Sequence, residues 1–300
     1  MLHIFITGGT GLIGAALIDN LLSKDTKVTV LTRDLEAARK KLPSHVELID
    51  SLSTLQNLNA IDVVINLAGE PIVNKRWSDN QKQLLEKSRW DTTQQLVTLI
   101  EKSDTPPHTF ISGSAIGIYG RQGNQAIDES FTQYHQEFSH SLCQRWEDIA
   151  LKAQSDKTRV CVLRTGIVLS DKGGALSKMT LPFKLGLGGP IGAGDHYMAW
   201  IHLDDMVNGI LYLIEQSSSQ GVFNFTAPHP VSNREFSKAL ASAVNRPCLL
   251  FTPKIALKLA MGEMADLLIY GQNVVPKHLL DDGFTFLYED INAALDSLSL

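Results

Sequence analysis

Short runs of β-branched and aliphatic residues alternate with segments of helical period through the first 165 positions, and this alternation predicts βαβ units around a parallel sheet. Strands are expected at 2–7, 27–32, 46–49, 62–67, 109–112 and 159–163, with helices at 12–23, 35–41, 79–101 and 139–153 between them. After Arg164 the text turns to Gly-rich loops, a helix at 205–215, a strand at 222–226 and then mostly helical sequence. Pro228 and Pro230 mark the exit into that last part, because proline punctuates elements and removes a backbone donor. The expected fold is therefore α/β: a Rossmann doubly wound parallel sheet over 1–227 and a smaller, mainly helical C-terminal domain over 228–300. Residues 170–198 are expected to contribute to that second lobe, which should sit over the carboxyl edge of the sheet, where open α/β folds bind ligands.

Composition narrows the class. With 44% hydrophobic residues in 300, the chain can bury a large core. Its 27 basic residues against 32 acidic ones form no Lys/Arg stripe, so no nucleic-acid partner is expected. Cys143, Cys161 and Cys248 are odd in number and lack CxxC spacing, which argues against a disulfide framework and against a zinc cluster; no metal is expected. The apolar run 4–6 is too short for a signal peptide, and no segment has the length of a membrane span. A cytoplasmic protein with no membrane partner is the expectation.

The strongest local signal is the run Thr7, Gly8, Gly9, Thr10, Gly11, Leu12, Ile13, Gly14, which leaves a buried-type strand and opens a helix. Glycines at these positions permit a tight turn, a close approach of backbone to a pyrophosphate and close helix–strand packing, while the helix N-terminus supplies donors and a favourable dipole. The second strand ends in Leu31, Thr32 and Arg33 where NAD-preferring domains place an acid. A guanidinium there suits a 2′-phosphate, so Thr32 and Arg33 point to NADP(H), with Asp34 the alternative reader of a ribose. Leu67, Ala68 and Gly69 end the fourth strand with small residues where the cofactor would run.

Taken together, the glycine loop, the NLAG strand end at 66–69, Ser112-Gly113-Ser114 ahead of Tyr119-Gly120, and the WIHLDD run at 200–205 resemble the extended short-chain dehydrogenase/reductases. More narrowly, Gly69-Glu70-Pro71-Ile72, Lys75-Arg76-Trp77, Ser88-Arg89-Trp90, Leu163-Arg164-Thr165-Gly166, the GLGGPIG run at 186–192 and the GQNVVPK run at 271–277 resemble epimerase-family proteins of unassigned substrate that carry a C-terminal domain of unknown function. The resemblance implies NADP(H), a small substrate such as a sugar nucleotide under the second domain, and a homodimer through 79–101 and 139–153.

Typical members of that superfamily use a Tyr as acid or base with a Lys four residues later on the same helix face, since an unassisted phenol near pKa of about 10 is a poor base at neutral pH. None of the six tyrosines here is followed by Lys at that spacing. Matching Glu147 to the usual helix acid puts Ser139 and Cys143 where Tyr and Lys are expected. Ser114 and Tyr119 are then the catalytic candidates, with Ser112 and Arg164 beside the cofactor; the partner of Arg164 is either a ligand or an internal carboxylate. Lys75 and Arg76 are placed near the cleft mouth, Asp204 and Asp205 as caps of the helix after His202, and the glycine-rich 186–194 loop as a lid. No GxSxG elbow, HExxH helix or Walker loop occurs. Two functions stay open: an NADP(H)-dependent oxidoreductase or epimerase without the usual pair, and a non-catalytic NADP(H) sensor.

Overall fold

Alternation within the first strand decides the layering. In Leu2–Thr7 (β1), Ile4 and Ile6 are buried in one core cluster and Phe5 in another, as period-two side chains must be when both faces of a sheet are covered. The computed structural model describes residues 1–22 and 26–300. The other sheet strands are Thr26–Leu31 (β2), Glu47–Ile49 (β3), Val63–Asn66 (β4), Thr109–Ala115 (β5), Arg159–Thr165 (β6) and Gly221–Phe225 (β7). They form a 7-stranded parallel sheet in the order β7-β6-β5-β4-β1-β2-β3.

The helices are Leu12–Leu21 (α1), Leu35–Lys41 (α2), Asp79–Glu101 (α3), Phe138–Ala150 (α4), Gly174–Lys184 (α5), Leu203–Glu215 (α6), Asn233–Ala243 (α7) and Lys254–Met261 (α8), followed by shorter helical turns. Leu17 and Ile18 of α1 share a core with Met206 and Ile210 of α6 on one face of the sheet. On the other face, Leu96 and Ile100 of α3 pack with Ile149 of α4. Neighbouring strands β1 and β4 thus lead into helices on opposite faces, and a crevice opens at their carboxyl ends.

Observed strands agree with the pattern to within a few residues, and the differences have causes. Strands β5 and β6 run on to Ala115 and Thr165 because they pair at every position from Thr109↔Arg159 to Ala115↔Thr165, which carries Gly113 into the ladder despite its weak strand preference. The end of the first expected helix, Ser23, lies outside the described residues. The expected capping by aspartates is corrected: His202 is the N-cap of α6, its ring accepting from the Asp204 amide, while buried Asp205 accepts from the amides of Leu287 and Tyr288 and so ties down the C-terminal segment.

A third core joins Leu176 and Phe183 of α5, Met198 and Trp200, Phe236 and Leu240 of α7, and Leu295 near the C-terminus. The glycine-rich 186–194 loop is stitched to this lobe rather than free to close as a lid: Thr252 donates to Pro190, Gly192 to Thr252, and Ile191 to the Asn233 side chain. The α3 and α4 region expected to dimerise shows Leu84 and Leu151 as its exposed large apolar residues. Among the described residues no helix is long and apolar enough to cross a membrane.

Candidate functional site

The glycine loop is built to keep side chains out. Gly8 has φ +74, and a Cβ on it would lie 2.6 Å from the Leu67 carbonyl; a Cβ on Gly14 would lie 2.4 Å from the Gly8 oxygen. The loop, the end of β4 and the start of α1 are therefore pressed together as bare backbone. Gly11 is the N-cap of α1 and offers no side-chain bond, so the first amides of the helix lack a capping partner and its dipole faces the crevice.

A buried polar cluster fixes this geometry. The Thr7 hydroxyl donates to Asn66 Oδ1 at 2.7 Å and accepts from the Ala68 amide at 3.1 Å, while Asn66 Nδ2 donates to Thr93 and Ser112. Thr7, Ala68 and Ser112 thus hold the loop in place from behind it. Gly69 is backed by the Arg89 guanidinium, which donates to the Glu70 carbonyl. At the outer end, Thr32 bonds the Asp34 carbonyl, and Asp34 caps α2 through the Ala37 amide, which engages one of its carboxylate oxygens. The Arg33 side chain is 87% exposed and lies 3.8 Å from Glu70. Lys41, which the sequence reading passed over, donates to the Thr10 carbonyl at 3.0 Å and brings a second cation to the same corner. Its signal was the basic last turn of α2.

The crevice encloses about 460 Å³. Gly8, Gly11, Leu12, Ile13, Gly14 and Leu67 line one end. The far end is lined by residues from widely separated segments, among them Arg121, Glu137, Ser139, His196, Asp266 and Tyr270. Arg121 Nε donates to Glu137 at 3.1 Å, its Nη2 reaches Asp266 at 3.4 Å, and its plane lies 4.4 Å from the centre of the Tyr270 ring. Lys258 approaches the other Asp266 oxygen at 3.4 Å. The Ser139 hydroxyl donates to the second Glu137 oxygen at 2.8 Å. Burial, helped by the charge of Lys254, lowers the His196 pKa, which keeps that imidazole neutral. A smaller cavity of about 60 Å³ is lined by Arg121, Glu137 and Asp266 together with Trp77 and Phe138.

Ser114 and Tyr119, expected as catalytic groups, do not line this crevice, which is lined by the adjoining Ala115, Ile116 and Gly117. Ser114 donates to Glu147 at 2.6 Å, and Glu147 holds Arg164 at 2.8 and 3.0 Å. Arg164 donates to the Tyr119 hydroxyl at 3.0 Å, which in turn donates to Asn224 at 2.8 Å. Burial pushes the Tyr119 phenol up to about 12 despite Arg164, so it stays protonated near neutrality. Burial opposes the charge on Arg164, but Glu147 outweighs it and raises the pKa, so the guanidinium stays ionised. The partner of Arg164 is thus an internal carboxylate, and both Arg164 and Ser112 are buried. Cys143, at the expected lysine position, lines the crevice with its thiol pushed up to about 12 by burial and by the Glu147 charge. Lys75 and Arg76 are exposed and do not line the crevice. Among the described residues no group of acids, histidines and cysteines could hold a metal ion.

Residues 4–225 match the NAD dependent epimerase/dehydratase family. The chain belongs to that family. Residues 252–298 match a domain of unknown function, DUF1731. An epimerase family protein of Staphylococcus saprophyticus is 37% identical over 300 residues, covering 99% of both chains. The human epimerase family protein SDR39U1 (isoform 2), crystallised with NADPH, superposes with a TM-score of 0.91 at 32% identity over 99% of both chains. The UDP-glucuronic acid 4-epimerase of Bacillus cereus, solved with UDP-glucuronic acid and NAD, has a TM-score of 0.78 at 16% identity, covering 98% and 97%. At that identity it shares the fold of this family member and nothing finer.

Proposed function

We propose that this epimerase-family protein binds NADP(H) along the crevice and transfers hydride to or from a small, uncharged carbonyl or hydroxyl compound held under the C-terminal lobe. That lobe is taken as 228–300 together with 170–198. The cradle fits a dinucleotide: a Cβ on Gly8 or Gly14 would fill it, and the open amides of α1 suit a pyrophosphate. Arg33 and Lys41 supply two cations where a 2′-phosphate would lie, which favours NADP(H) over NAD(H). The NADPH in the human relative supports the same choice. When bound, the nicotinamide would supply or accept the hydride. In this reading the chain's own residues orient the substrate and hold the proton, and the hydroxyl assigned to that role is Ser139, which lines the crevice and is hydrogen-bonded to Glu137, in place of Ser114 and Tyr119.

The observation that carries the substrate class is the charge balance of the far wall. Arg121 already faces Glu137 and Asp266, and Asp266 faces Lys258, so two bases meet two acids. A sugar nucleotide, the substrate class expected from the sequence, brings a pyrophosphate that would find Arg121 and Lys258 already paired with acids, with Lys254 near His196 the cation left to meet it. Ile72, Met179, Met198, Leu267 and Leu268 make the remainder apolar.

The test is deuteride transfer from NADPH labelled at C4, followed by mass spectrometry of a panel of uncharged aldehydes and ketones beside UDP-glucose and UDP-glucuronic acid. Label is expected in a member of the uncharged set, and Ser139→Ala should reduce its rate by about 100-fold. Label appearing only in a UDP-sugar would overturn the substrate class. Tight NADPH binding with no transfer to any compound would favour the cofactor-sensor reading.

A further inference from the structure

Six of the most exposed apolar side chains, Leu185, Leu187, Leu249, Phe251, Ile255 and Leu259, lie between 62% and 85% exposed. They come from two segments more than sixty residues apart in sequence that the structure joins. Arg246 donates to the Lys184 carbonyl, Thr252 donates to Pro190, and Gly192 donates to Thr252. The α8 helix, Lys254–Met261, contains no buried residue although it carries Ile, two Leu and Met. Soluble surfaces tolerate single apolar residues, but a contiguous set of this size marks a contact.

The charge of the same face is one-sided. Residues 172–194 contain three lysines and no acid, and residues 245–262 contain Arg246, Lys254 and Lys258 and no acid. The chain as a whole is acidic, with 32 acidic residues against 27 basic. Lys258 of this set is paired with Asp266, but exposed large apolar side chains interleaved with Lys184, Arg246 and Lys254 suit a negatively charged headgroup layer with hydrocarbon beneath it.

We propose that this face of the C-terminal lobe docks on an anionic lipid bilayer, Phe251, Ile255 and Leu259 entering the interface and Lys184 and Lys254 meeting the headgroups. The contact is peripheral, in keeping with the lack of a spanning helix among the described residues. It departs from the expectation of no membrane partner, because the basic residues form no stripe in the sequence and are brought together by the pairing of 190–192 with 252 and by the Arg246 bond to Lys184. The Ile191 side chain lines the crevice, so the docking face and the crevice share a wall.

The experiment is co-sedimentation of the full chain with vesicles of phosphatidylcholine, with and without phosphatidylserine. Binding is expected to phosphatidylserine vesicles only and to weaken with salt. The triple variant Phe251→Ser, Ile255→Ser, Leu259→Ser should lower the partition coefficient by at least about tenfold. Lys184→Glu should lower it by about fivefold, and this variant keeps the test valid if the triple variant does not fold. No sedimentation with phosphatidylserine vesicles, or sedimentation unchanged by both variants, would overturn the proposal. A wild-type dimer in analytical ultracentrifugation that the triple variant converts to monomer would also overturn it, by showing that a second copy covers the face.

Discussion

Arg164 and Arg121 are each gripped by carboxylates and each lie against a tyrosine ring, yet they do different work. Arg164 is buried, its side chain 6% exposed, and its Glu147 partner is 4% exposed. Together with Ser114, Tyr119 and Asn224 they form a closed polar chain that joins β5, α4 and β6 beneath the crevice floor. Arg121 is 35% exposed and looks into the crevice, its charge shared between Glu137 and Asp266. The lesson is that similar ion pairs are told apart by burial and by what lies on their open side. The core pair positions the strands that carry the floor, and the wall pair sets the electrostatic character that a ligand meets.

Removing one partner of the buried pair should have the largest effect. Glu147→Ala leaves an uncompensated guanidinium in the core and is expected to cost about 3–5 kcal/mol in urea denaturation. A loss no greater than that of a surface pair would place Arg164 with Arg121 and break the contrast.

Tyr119 supplies the next test. Its phenol is shifted from 10.0 to about 12 in the folded protein, so its contribution to stability is full below pH 10 and is lost as the pH rises through about 12. Relative to Tyr119→Phe, the wild type should lose roughly 2–3 kcal/mol across that window. Parallel pH–stability curves would mean that the phenol reaches solvent. At the smaller end, Arg121→Met should change stability by no more than about 1 kcal/mol, because its pairs are partly exposed and Asp266 keeps Lys258. Arg121 lines both the crevice and the smaller cavity, so the same substitution should alter the substrate KM rather than the midpoint of unfolding.

The two halves of the crevice were unequally legible in the sequence. The glycine loop could be read because its chemistry is backbone chemistry, written in contiguous residues between a strand and a helix whose bounds were themselves clear. The far wall could not, because Arg121, Glu137, His196, Asp266 and Tyr270 come from separate segments with no shared period, and only the fold brings them together. Ser114 and Tyr119 stood at the expected sequence positions, but sequence does not reveal that Glu147 and Asn224 claim their hydroxyls. The lack of a Lys four residues after any tyrosine is legible in the sequence because it depends on spacing alone. Asp204 and Asp205 resembled helix caps for the same local reason, and a contact with Leu287, more than eighty residues away, decided otherwise.

The central claim is that the cradle and its Arg33–Lys41 corner select a phosphorylated dinucleotide. Calorimetric titration with NADPH and NADH, for the wild type and for Arg33→Asp, tests it most directly. The account predicts tighter binding of NADPH than NADH by the wild type and loss of that preference, by at least about tenfold in Kd ratio, in the variant. Equal binding of the two cofactors by the wild type, or no binding of either, would contradict it.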